Sequence, residues 1–233
     1  MSSRCVLLFA RSTELECRAK GLPEAKAVFD LARRRLSRAV AELPSVTLVV
    51  AGAGPVPAGA RRIAQRGREF EERLGNALRD AAALGFAEVV AVPADVPSLG
   101  ARELAAAFDA LAAGATPIGP SPDGGVYLIG FSSEASPLLL GVRWRTPRVL
   151  GDLLGRIAEL GGRAALLPPL RDVDSSRDLA ALSRESRLDP LLSRLLRALL
   201  SPDRGRASSP AARGLSPAIR LLGSRAPPAS APA

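Results

Sequence analysis

Short apolar runs alternate with longer amphipathic stretches along most of the chain. Arg4 to Ala10 (RCVLLFA), Ser45 to Gly52 (SVTLVVAG), Ala87 to Asp95 (AEVVAVPAD) and Gly125 to Phe131 (GVYLIGF) are nearly unbroken apolar runs. Such runs predict strands covered on both faces rather than one. Arg61 to Gly67 (RRIAQRG) predicts a short edge strand, and Arg163 to Ser176 (RAALLPPLRDVDSS) a strand followed by a polar loop. Helical spacing appears at Lys26 to Glu42, Arg68 to Gly85, Gly100 to Gly114, within Arg145 to Gly162, and at Ser176 to Ser186. Gly85 is placed to end its helix. Arg11 to Ala25 (RSTELECRAKGLPEA) predicts a polar loop. Strand and helix alternate without an internal repeat. The expected fold is α/β, a three-layer α/β/α arrangement around a mostly parallel, Rossmann-like sheet.

Residues 1–185 form the expected domain, and 186–201 add an amphipathic helix that packs on the core or on a partner. Residues 202–233 are dominated by Pro, Ala, Ser and Arg, a composition that predicts disorder. The chain, at 233 residues, is long enough for one α/β domain with a full core.

The absence of histidine changes the chemical picture most. It excludes a Ser-His-Asp triad, His-ligated zinc and imidazole as a base. Acid–base work falls to carboxylates, hydroxyls, lysine or a metal. Cys5 and Cys17 are the only cysteines, too few for a zinc or disulfide framework, so a reducing cytoplasm is the simplest location. The net charge of +9 is partly local, because Ser201 to Ala233 holds five arginines and one aspartate. A soluble protein with a basic tail fits better than a nucleic-acid binder, since no aromatic-plus-basic stacking motif accompanies the charge. No run reaches the roughly 18 apolar residues of a membrane span. The opening MSSRCVLLFA predicts no signal peptide.

Ligands of open α/β sheets bind beyond the carboxyl ends of the strands, so polar residues directly after apolar runs are candidates. Asp95 is the first, with a turn or helix cap as its rival role. Asp172 and Asp174 are next. They are expected to face opposite sides, one toward a site and one bracing the loop, with a helix start capped by Ser175 or Ser176 as the rival. Asp123-Gly124-Gly125 is the third, with a hairpin turn as the rival. Three aspartates after three strands suit a hard cation, which takes oxygen ligands. Gly52-Ala53-Gly54 is followed by Pro55 and Pro57 instead of a helix start, so a dinucleotide fingerprint is excluded.

Four segments carry a resemblance to a known family. They are Gln65 to Leu78, Val89 to Leu111, Ile118 to Phe131 with Val142 to Leu150, and Arg171 to Leu182. Together they resemble the glycosyltransferase-A-like transferases called selenodomain-associated transferase 1. These are relatives of the molybdopterin-guanylyl and phospholactate-guanylyl nucleotidyltransferases. The resemblance implies a nucleotide-diphospho-sugar transferase fold, Mg2+ or Mn2+, and a small-molecule acceptor. It implies Asp95 and Asp174 as metal ligands, and Pro93 beside Asp95 at the nucleotide. Asp123 would orient the acceptor or act as base, with Gly124, Gly125, Trp144 and Thr146 on the acceptor side.

The family's Pro-x-x-Gly-x-x-Lys-Thr-Arg loop is replaced here by ARSTELECRAKGLPEA. Arg11, Arg18 and Lys20 are the candidates to meet phosphates in its place, Arg18 and Lys20 with a catalytic part. Lys20-Gly21-Leu22-Pro23 resembles the basic-Gly-Leu-Pro loop of related nucleotidyltransferases. The leading expectation is a metal-dependent glycosyltransferase using a nucleotide sugar. The alternatives are a nucleotidyltransferase of guanylyl-transfer type that uses a nucleoside triphosphate and releases pyrophosphate, and a non-catalytic nucleotide-binding module.

Overall fold

The unbroken apolar runs become strands because both of their faces are buried. The structure, a computed structural model, describes residues 3–132, 136–186 and 188–201, so the expected disordered tail lies outside the described residues. Its strands are β1 (Arg4–Phe9), β2 (Val46–Ala51), β3 (Arg61–Ile63), β4 (Glu88–Val92), β5 (Thr116–Pro120), β6 (Val126–Ser132) and β7 (Ala164–Leu166). They form one seven-stranded sheet in the order β3-β2-β1-β4-β6-β5-β7. β6 runs antiparallel to β4 and β5, and every other pairing is parallel. This is the mostly parallel α/β architecture expected from the sequence.

The helices are α1 (Thr13–Lys20), α2 (Lys26–Ala41), α3 (Phe70–Ala83), α4 (Ala101–Ala112), α5 (Ser136–Leu139), α6 (Val149–Glu159), α7 (Ser176–Leu182) and α8 (Pro190–Leu200). Register and the two-residue period of a strand divide the core. Leu7 lies opposite Val49 and Ala91, and these pack with Leu74 and Leu78 of α3 and Leu153 of α6. Val6 lies opposite Leu48 and Val90, and these pack on the other face with Leu36 of α2 and Leu104 of α4. A third cluster joins Cys17, Phe29, Val173 and Leu179 to Leu192 and Leu196 of α8. No helix among the described residues is long and apolar enough to cross a membrane.

Three local expectations are corrected. Arg11 to Ala25 is not a loop through its length. Ser12 caps α1 by accepting from the Leu15 N–H, Glu14 and Glu16 sit in the first turn, Arg18 and Lys20 in the last, and Gly21 ends it. This charge order suits the helix dipole, and the polarity of the segment concealed it. β5 was not expected, because Pro117 and Pro120 lack the N–H of a ladder residue. Its pairing with β6 shifts register between Gly119 and Pro120. The short α5 was also not expected.

The β5–β6 connection is a hairpin: Ser121 N–H donates to Gly125 O at 3.0 Å and Gly124 N–H to Ser121 O at 3.1 Å. The rival reading of Asp123-Gly124-Gly125 therefore describes its local shape. Because β6 reverses direction, this hairpin lies at the rim where β1 and β4 also end. The strand after it is tied to the loop that follows β7, since the buried Tyr127 hydroxyl donates to Pro168 O at 2.9 Å. Tyr127→Phe removes only that bond. It is expected to lower the unfolding free energy by about 1 kcal/mol, read as a lower urea midpoint at unchanged slope.

Candidate functional site

Each strand end delivers polar side chains to one rim. Phe9 ends β1 and Ala10 and Arg11 follow it, Pro93 and Asp95 follow β4, and Asp123 and Gly125 come from the β5–β6 hairpin. Asp172 and Asp174 come from the loop after β7. Glu16 and Lys20 reach in from α1, Phe70 and Arg73 from α3, and Trp144, Arg145 and Thr146 from the segment before α6. They line a cavity of about 620 Å³, within the usual size of a small-molecule site.

Lys20 is the meeting point. Its side chain is only 10% exposed, and its ammonium donates to Asp95 Oδ2 at 2.5 Å, to Val173 O at 2.8 Å and to Asp174 Oδ1. Burial works against the charge. The attraction of Asp95 and hydrogen bonds to Asp174 and Asp95 outweigh it and hold the ammonium above its ordinary value. Val173 N–H returns to Asp95 O at 2.9 Å, fastening the two loops to each other. Asp95 caps no helix, because α4 starts at Gly100 with Glu103 accepting the Gly100 N–H. Its Oδ1 is buried and has no hydrogen-bond partner among the described residues.

Asp172 and Asp174 do not face opposite sides. Both line the cavity, while Val173 between them is fully buried in the core. Residues two apart on an extended segment share a face. The helix start expected as the rival role is also present. Ser175 caps α7 by accepting from Asp178 N–H, which leaves the Asp174 carboxylate to the cavity. Carboxylate oxygens of Asp123, Asp172 and Asp174 all lie within 4.8 Å of one another. Burial, then repulsion from Asp123, Asp95 and Asp174, pushes the Asp172 carboxyl up to about 7. Asp123 Oδ1 accepts the Gly125 N–H at 2.8 Å.

An aromatic wall stands beside these charges. Phe9 meets Phe70 edge-on at 5.5 Å, and Phe70 meets Trp144 at 5.1 Å. Trp144 Nε1 is buried and unpartnered among the described residues. Its segment is held by Arg143, whose guanidinium and backbone N–H bond Asp152 and bring that carboxyl down to about 2. Thr146 lines the cavity, but its hydroxyl donates to Arg143 O at 2.7 Å and accepts Arg148 N–H at 3.2 Å, stabilising its own turn.

Of the residues expected at the site, Arg11, Lys20, Pro93, Asp95, Asp123, Gly125, Trp144, Thr146 and Asp174 line the cavity. Arg18 is exposed and Gly124 does not line it. The close approach at Gly124 is to its own chain: φ is +89° and a Cβ would stand 2.2 Å from Pro147 O. Sequence reasoning missed Glu16, Gln65, Arg73 and Arg145. Arg73 lies one helical turn after Phe70, a spacing that could have marked it. Gln65 is a brace, donating to Ala51 O at 2.8 Å and Ala10 O at 3.4 Å.

The fold is that of nucleotide-diphospho-sugar transferases. A protein from Desulfovibrio desulfuricans G20, provisionally named as such a transferase, superposes with a TM-score of 0.71 at 24% identity, over 85% of this chain and 99% of that one. The 4-diphosphocytidyl-2C-methyl-D-erythritol synthase from Anaerococcus prevotii DSM 20548 gives 0.54 at 10% identity, over 78% and 99%. Rv0371c from Mycobacterium tuberculosis H37Rv gives 0.51 at 16%, over 78% and 98%. At such identities the likeness is one of fold. Residues 31–146 match the profile of a family described as uncharacterized protein conserved in bacteria, DUF2064. No protein of curated function matches significantly.

The crowding of carboxylates has a stability signature. Asp172 is protonated in both folded and unfolded chains below about pH 4 and charged in both well above about pH 7. Its folded value is raised, so the destabilisation grows as pH rises through that window. In the presence of chelator, Asp172→Asn is expected to be more stable than the parent by about 1–3 kcal/mol at pH 8. The gap should close toward pH 4. Denaturant melts across that range check it, and a gap that does not change with pH counts against the crowding.

Proposed function

We propose that this chain is a metal-dependent transferase that draws on an activated nucleotide, with glycosyl transfer from a nucleotide sugar as the leading reaction. The supporting observation is the convergence of Asp95 and Asp174, from loops far apart in sequence, on a single positive charge. The donor set fits a hard cation. It consists of carboxylates, includes the buried Oδ1 of Asp95, which has no partner among the described residues, and contains no histidine. Asp95 and Asp174 would hold Mg2+ or Mn2+, with Asp123 and Asp172 adjoining Asp174. A bound cation would neutralise charge on the departing diphosphate.

The chain's own residues supply the rest. Arg11, Arg73 and Arg145 line the same cavity and offer planar donors to phosphate oxygens. Phe70 and Trp144 give an apolar aromatic surface for a ring of donor or acceptor. The Gly125 N–H fixes one oxygen of Asp123, and the other can take the proton of an acceptor hydroxyl. The acceptor oxygen then bonds to the anomeric carbon as the bond from that carbon to the phosphate oxygen breaks.

Nucleotidyl transfer is a second reading, favoured by the lysine buried among the carboxylates. Once released from those carboxylates, its ammonium would suit charge developing on a phosphoryl group. In that case the acceptor oxygen bonds to the α-phosphorus and pyrophosphate leaves.

Thermal-shift titrations with nucleotide sugars and nucleoside triphosphates, each with and without Mn2+, test the reading. A metal-dependent shift is expected for one donor class. Asp95→Ala and Asp174→Ala should abolish it and lower turnover of that donor about 100-fold or more. A metal-dependent shift retained in full by both variants would overturn the metal assignment. Binding without turnover across the panel would make the chain a nucleotide-binding module instead.

A further inference from the structure

The ammonium of Lys20 has three hydrogens, and the ligand-free site uses them all. They go to Asp95 Oδ2, Val173 O and Asp174 Oδ1. Glu16 Oε1 lies 3.5 Å away, and the Phe29 ring 5.8 Å on another side. In this arrangement Lys20 has no donor left for a phosphate. Nor can a second cation stand between Asp95 and Asp174 while the ammonium is there, since a small divalent ion would need those same oxygens at about 2 Å. The two roles that the cavity offers Lys20, partner of carboxylates and partner of phosphates, are therefore exclusive.

We infer that Lys20 is a built-in counter-ion that holds the place of the divalent cation between Asp95 and Asp174 and must be expelled before that cation binds. The inference rests on the metal-dependent reading of the site and adds an order of events to it. Without the ammonium, Asp95 and Asp174 would face each other uncompensated, beside Asp123 and Asp172 whose carboxylate oxygens lie within 4.8 Å of Asp174, so the ligand-free fold gains from keeping it. A divalent ion arriving alone must displace it from three hydrogen bonds, and binds weakly. Donor phosphates in the same cavity offer the displaced ammonium new acceptors. Nucleotide and metal then raise each other's affinity by one common factor, as linkage requires. The four-carbon stem of lysine permits the swing, because its charge is a point on a flexible chain.

The test uses Mn2+ alone, on the full chain, so that it does not depend on knowing the donor. Lys20→Gln keeps a polar side chain and removes the charge. Calorimetric or electron-paramagnetic titration is expected to show Mn2+ bound about 5- to 150-fold more tightly by this variant than by the parent. Equal or weaker binding by the variant overturns the inference and leaves the metal-dependent reading standing. Failure of both proteins to bind Mn2+ overturns the two together. Should the variant not fold, the parent carries the test. In chelator the side-chain ammonium of Lys20, shielded by three hydrogen bonds, should give a slowly exchanging signal in a 15N-lysine spectrum. Saturating Mg2+ should shift or erase it, and an unmoved signal overturns the inference.

Discussion

One lysine paired with two aspartates, across 75 and 154 residues of sequence, fixes how three strand ends meet. Lys20 ends the helix that follows β1, Asp95 lies just past β4, and Asp174 belongs to the loop after β7. The backbone repeats the bond, with Val173 accepting from Lys20 and donating to Asp95. A buried ammonium and carboxylates each lose hydration, and such an arrangement persists only when every member is satisfied. Here the lysine is fully satisfied and Asp95 is not. The cluster is a clasp that leaves one acceptor of Asp95 unused among the described residues.

The apolar scaffold makes this concentration of charge tolerable. The sheet is covered on both faces, so packing holds the strands themselves and the lysine joins the loops beyond their ends. Val173 shows the division within a single tripeptide: its side chain lies in the core with Phe29 and Leu179, while its neighbours on either side face the cavity. Packing holds the loop, and the two aspartates are left on the cavity side.

Much of this was legible in the sequence, and the exceptions have physical causes. β1, β2, β4 and β6 read clearly because double-sided burial leaves few polar positions in them, mostly at their ends. β5 did not, because Pro117 and Pro120 mimic a loop, and the antiparallel place of β6 depends on that strand. α1 was hidden because its stability comes from caps and charge order rather than from an apolar stripe. Asp95, Asp123 and Asp174, which line one cavity, were each marked singly in the sequence, each after its own strand. Their mutual distances follow from sheet order, which local pattern does not contain. Glu16 lies on a helix whose inward face only tertiary packing reveals.

The hairpin that carries Asp123 is joined to the segment that carries Trp144. Gly124 sits against Pro147 where no larger residue fits, and Leu150 N–H donates to Gly124 O at 3.1 Å. The carboxylate and the indole are thus carried by two segments fastened to each other, so that a side chain added at position 124 would press on both.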